Sequence, residues 1–68
     1  MRVTINGQER EIPAAAGSSI CSLLEHLGLD PENIVVELNR TILTRDQFAV
    51  TALGENDTLE LVQFVGGG

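Results

Sequence analysis

Cys21 and His26 are the only thiol and the only imidazole in the 68-residue chain, so nucleophilic catalysis is the first chemistry to weigh. It requires a base within hydrogen-bond reach of the sulfur. On a helix, at about 100° per residue, the spacing puts the two side chains about 140° apart, on opposite flanks of an apolar stripe. They cannot pair, and two isolated ligands do not make a zinc site. Cys21 reads as a small flank residue and His26 as a solvated one. Asp46, Glu55 and Asp57 fall in loops, where carboxylates cap a backbone turn or meet water. Paired catalytic carboxylates would need a pocket between them, and a domain of this size has little room for one. Neither G-x-x-x-x-G-K-[ST] nor G-x-G-x-x-G occurs. No metal site, no bound cofactor and no catalysis by the chain's own side chains are expected.

The sequence Gly66-Gly67-Gly68 offers a different chemistry. Three glycines in a row are costly to order and stay mobile unless gripped. They follow the last apolar segment with no linker. An end without Cβ atoms can enter a narrow channel in a partner and lie extended there. The α-carboxylate of Gly68 is then the reactive group, with Gly66 and Gly67 threading the partner's active site.

Composition limits the rest. Ten carboxylates face four basic residues, Arg2, Arg10, Arg40 and Arg45, for a net charge of −6. That field repels nucleic acid and anionic membrane surfaces and favours a basic surface on a partner protein. No apolar run approaches the roughly 20 residues needed to span a bilayer. Met1 to Gly7 breaks its apolar pattern too early for a secretory leader, so the cytoplasm is the expected compartment. A single cysteine allows no internal disulfide, in keeping with a reducing environment.

The elements that must position the glycine end can be read in order. Met1, Val3 and Ile5 alternate with Arg2 and Thr4, a half-buried strand, and Asn6-Gly7 suits a type I′ turn. Gln8 to Ile12 returns as a polar edge strand, ended by Pro13. Ala14 to Gly17 reads as a lead-in loop. Ser18 or Ser19 can cap a helix whose Ile20, Leu23, Leu24 and Leu27 form one face, with Gly28 as its left-handed terminator. Ile34 to Leu38 is a strand, Asn39-Arg40 a turn and Thr41 to Leu43 a short partner. Thr44 to Phe48 reads as a turn or short 3₁₀ segment with Phe48 inward, and Ala49 to Leu53 as a further short strand or an extended loop. Gly54 to Asp57 is a turn, and Thr58 to Val65 the last strand. An α+β fold follows: a mixed sheet of four to five strands packed on one main helix, the last strand parallel to the first across a crossover. This is the β-grasp arrangement, expected to occupy residues 1–65 and to leave 66–68 as a tail.

With these residues in place, the whole chain resembles the ThiS family, the sulfur carrier proteins of thiamine biosynthesis within the ubiquitin-like β-grasp group. The matching segments are the strand with its Asn6-Gly7 turn, Ile20-Cys21-Ser22-Leu23-Leu24, Ile34-Val35-Val36-Glu37-Leu38-Asn39, Asp57-Thr58-Leu59-Glu60-Leu61-Val62 and, most specific, Phe64-Val65-Gly66-Gly67-Gly68. Thr44-Arg45-Asp46-Gln47-Phe48 is similar to a family loop, with no role assigned to Arg45. The resemblance implies that an E1-like adenylating enzyme uses ATP and Mg²⁺ to convert the Gly68 carboxylate to an acyl-adenylate. Sulfur from cysteine, delivered through a desulfurase persulfide, then displaces AMP and leaves a thiocarboxylate, which donates sulfur to thiazole synthase. The chain is thus a co-substrate acted on by enzymes.

Docking is expected on the sheet face that the helix leaves bare, where alternation puts Val62, Phe64 and Glu60 while Leu59 and Leu61 point at the helix. Three alternatives share this fold. A molybdopterin-synthase small subunit uses the same thiocarboxylate with a different acceptor. A carrier for another pathway, or a protein-conjugating tag, is the second. The third is an interaction domain whose glycines do nothing.

Overall fold

The computed structural model describes residues 1–64; the expectations for Val65, Gly66, Gly67 and Gly68 lie outside the described residues. Strands β1 (Arg2–Ile5) and β2 (Gln8–Glu11) form an antiparallel hairpin. Asn6 and Gly7 take φ of 50° and 82°, the two positive values that a type I′ turn needs to match strand twist. Every residue of β2 is exposed, as befits an edge strand. The regular strand ends at Glu11, one residue earlier than expected, yet the pairing runs on. The Ile12 N–H donates to the Met1 carbonyl at 2.8 Å and the Met1 amino group donates to the Ile12 carbonyl at 2.7 Å, while the Ile12 side chain enters the core.

Ala14–Gly17 is a 3₁₀ turn rather than an irregular lead-in, with Ala16 and Gly17 buried. Helix α1 (Ile20–Leu27) follows. Ser19 is its cap, accepting from the Ser22 N–H at 3.0 Å, and Gly28 closes it at φ 72°. Ile20, Leu23 and Leu24 are buried against the sheet, each such side chain contributing about 2 kcal/mol by its removal from water. That packing sustains a helix too short to persist alone.

Strands β3 (Ile34–Leu38) and β4 (Thr41–Leu43) form a second hairpin through Asn39 and Arg40, both left-handed. Arg45–Gln47 is a 3₁₀ turn that delivers Phe48 into the core. Of the two forms expected for Ala49–Leu53, the structure shows the loop and not the strand. Its neighbourhood serves the start of α1, whose first N–H groups have no partner within the helix. The Ile20 N–H donates to the Thr51 carbonyl at 2.9 Å and the Cys21 N–H to the Phe48 carbonyl at 3.1 Å, while Leu53 donates to Gly17 at 2.9 Å. The segment thus spends its backbone groups on the start of α1 and on Gly17 rather than on a neighbouring strand.

Strand β5 (Thr58–Gln63) runs parallel to β1 and antiparallel to β3, giving the sheet order β2-β1-β5-β3-β4. The last strand is therefore central at its start. Val3, Ile5, Val36, Leu59 and Leu61 face α1, and together with Ile20, Leu23, Leu24 and Phe48 they form a single core. No buried polar side chain is left without a hydrogen-bond partner among the described residues.

Candidate functional site

The site is built by the alternation of β5. Leu59 and Leu61 are buried beneath the helix, and the residues between them must face the other way. Glu60, Val62 and Phe64 accordingly lie on the bare face, with Val62 57% and Phe64 49% exposed. The register of β3 adds to this face. Val35 stands opposite Val62 and Glu37 opposite Glu60, and Ile42 of β4 stands opposite Glu37. Val35 is 40% and Ile42 64% exposed. Four apolar side chains flanked by two carboxylates thus form one surface, and β5 carries it directly toward residues 65–68.

Sequence alternation located Val62, Phe64 and Glu60 but missed Val35, Ile42 and Glu37. The unbroken apolar run Ile34-Val35-Val36 shows no alternation of its own. The signal was indirect: two β-branched neighbours on a strand cannot both face one helix. Ile42 could be placed only by the β3–β4 register.

The other groups considered for chemistry are dispersed. Cys21 and His26 are both exposed on α1. Arg45 is held by Glu32, its guanidinium donating to the carboxylate at 2.7 Å. Asp57 accepts from the Gly54 N–H at 2.6 Å and from Asn39 Nδ2 at 2.9 Å. Glu55 accepts from the Arg2 N–H at 2.9 Å, and Asp46 from the Thr44 hydroxyl. Asp46 and Asp57 serve turns, Glu55 ties its turn to β1, and Glu32 holds Arg45. Among the described residues no three or more His, Cys, Asp and Glu side chains gather as a metal would require. No described helix is long and apolar enough to cross a membrane.

A five-stranded mixed sheet gripping one helix, with the last strand between the first and the third and an apolar outer face running along it, defines a ubiquitin-like β-grasp domain. The ThiS family model matches residues 3–68. The chain belongs to the ThiS family. Among solved structures it is similar to the thiamine biosynthesis protein ThiS of Geobacter metallireducens, with a TM-score of 0.84 and 33% identity over all of both chains. Among curated proteins it is 31% identical over 64 residues to the sulfur carrier protein ThiS of Bacillus subtilis, covering 94% of this chain and 96% of that one. It is also 37% identical over 68 residues to a thiazole synthase of Magnetococcus marinus, covering 100% of this chain. The chain spans 20% of the length of the thiazole synthases it matches.

Proposed function

We propose that this protein is a sulfur carrier of thiamine biosynthesis whose Gly68 carboxylate is adenylated and then converted to a thiocarboxylate. The observation that carries this reading is the family match, which runs through Gly66, Gly67 and Gly68. A carboxylate is a poor electrophile, so it must first acquire a leaving group. In the proposed sequence, a Gly68 oxygen attacks the α-phosphorus of ATP within an E1-like enzyme that supplies Mg²⁺, and pyrophosphate departs. A persulfide sulfur, formed by a cysteine desulfurase, attacks the acyl carbon and AMP leaves. A second thiol cleaves the resulting acyl disulfide, freeing the thiocarboxylate for the acceptor. The reaction is cytoplasmic in this reading.

The carrier supplies docking and a slender end, and its partners supply catalysis. Val62, Phe64 and Glu60, joined by Val35, Ile42 and Glu37, are the proposed docking surface for the adenylating enzyme, and Gly66 and Gly67 thread its active site. The proposed acceptor is thiazole synthase, a choice supported by the occurrence of a segment like this chain within proteins of that name. Intact-mass measurement after incubation with ATP, Mg²⁺, the adenylating enzyme and a persulfide donor tests the reading. The expected gain equals one oxygen replaced by sulfur, localised to the peptide ending at Gly68. An unchanged mass, or sulfur elsewhere, removes the proposal.

A further inference from the structure

One stretch of the central strand lacks a neighbour. In the β3–β5 ladder the Asn39 N–H donates to the Thr58 carbonyl at 2.8 Å and the Phe64 N–H to the Asn33 carbonyl at 3.0 Å. Antiparallel alternation therefore turns the backbone groups of 58, 60, 62 and 64 toward β3 and those of 59, 61 and 63 toward β1. The Leu59 carbonyl accepts from the Asn6 N–H at 2.9 Å. β1 has ended by then, and at Leu61 the Asn6 carboxamide takes the place of a strand, accepting from its N–H at 2.7 Å and donating to its carbonyl at 3.1 Å. At Gln63 no described residue continues the pairing on that side. Its N–H and carbonyl have no partner on that edge among the described residues.

A groove opens at this spot on the helix side of the sheet, lined by Arg10, His26, Leu27, Leu29, Leu61 and Gln63 among others. Arg10 pairs in register with Val3, which is buried under the helix, so its side chain rises on the same side. Arg10 takes part in no ion pair among the described residues, whereas Arg2 and Arg45 do. In a chain of net charge −6, this is an uncommitted cation beside an open backbone edge and a leucine-lined floor.

We propose that this groove is a strand-addition site, taking an extended segment of the partner protein that carries a carboxylate. The segment pairs with β5 at Gln63, rests an apolar side chain on Leu27 and Leu29, and sets its carboxylate on Arg10; such pairing draws affinity from main-chain hydrogen bonds and specificity from the flanking side chains. The proposal rests on the carrier reading only in naming the partner, thiazole synthase, since a segment like this chain occurs within proteins of that name.

Gln63→Pro in the full chain tests it. The Gln63 N–H is not used by β3, so proline removes only the open donor at a position where strands tolerate it. Gln63→Ala keeps that N–H and serves as control. With thiazole synthase as the binding partner, Gln63→Pro should fold cooperatively yet bind about tenfold more weakly, while Gln63→Ala binds normally. Arg10→Glu should weaken the same complex about tenfold or more, with Arg10→Lys recovering part of the loss. Should the proline variant fail to fold, amide hydrogen exchange on the wild type decides: the Gln63 amide should exchange fast in the free protein and slowly in the complex. Equal binding by Gln63→Pro and wild type overturns the proposal. So does a Gln63 amide already protected in the free protein, whether residues 65–68 or a second copy supply the protection, as truncation and dilution would reveal. Wild type that takes up sulfur while Gln63→Pro binds unimpaired leaves the carrier reading standing and this one lost. Wild type that neither binds thiazole synthase nor takes up sulfur removes both.

Discussion

Glu37 and Glu60 stand directly opposite each other across the β3–β5 ladder, two carboxylates on the face that the helix leaves bare. Arg40 lines a depression with both but forms an ion pair with neither among the described residues. Like charges in directly opposed positions destabilise a sheet. Glu60→Gln should therefore raise stability by about 0.5 kcal/mol in chemical denaturation, with less gain at high salt. The same substitution should weaken docking to the adenylating enzyme if that surface is basic. A variant that lost both stability and affinity would show the pair to be structural.

Val62 and Phe64 sit beside that pair with no role in the core. Val62→Asp or Phe64→Asp should leave the unfolding transition in place and lower the rate of adenylation about tenfold or more, since truncated anchors in an interface commonly cost over 1 kcal/mol. Steady-state pyrophosphate release by the enzyme at varied carrier concentration is the measurement. Unchanged turnover would move the docking surface elsewhere.

Removal of Gly67 and Gly68 separates the carrier from an interaction domain of the same fold. Terminal residues seldom contribute to a core. The melting temperature should stay within error of wild type while thiocarboxylate formation falls to background. Sulfur transfer that survived the deletion would place the reactive group elsewhere.

Asn6 joins two ends of the chain through its side chain, and Asn6→Gly isolates that function because glycine accepts the positive φ of 50°. The loss of both bonds at half-buried Leu61 backbone groups should cost about 1–3 kcal/mol, read as a lower denaturant midpoint at unchanged slope. A neutral outcome would mean that water replaces the carboxamide at no cost.

Helix α1 depends on its ends. Ser19→Ala removes the oxygen that accepts the Ser22 N–H and should cost about 1 kcal/mol. Gly28→Ala places a Cβ at φ 72° and should cost about 1–2 kcal/mol. Nothing lies within 4 Å of that added Cβ, so the second cost is conformational alone. Ser19 and Gly28 flank opposite ends of the helix, so the two losses should add in the double variant.

Much of this protein was legible in its residues alone. The two-residue period of Met1 to Ile5, the Asn6-Gly7 turn, the Ile20 to Leu27 stripe between Ser19 and Gly28, and the inward Leu59 and Leu61 all follow from local rules that act within a few residues. The order of those elements, with too few residues for two cores, already required the last strand beside the first. What local rules could not reach was the pairing of distant segments. Only the assembled sheet put Val35 against Val62, Glu37 against Glu60 and Ile42 against Glu37. Only the packed chain turned Phe48 and Thr51 into acceptors for the helix start and left Ala49–Leu53 a loop. The carboxamide of Asn6 reaches Leu61 because parallel pairing of β1 and β5 brings them together. The physical reason is range: propensity and periodicity are properties of neighbours in sequence, whereas register and the faces it exposes come from contacts between segments that the chain order leaves far apart.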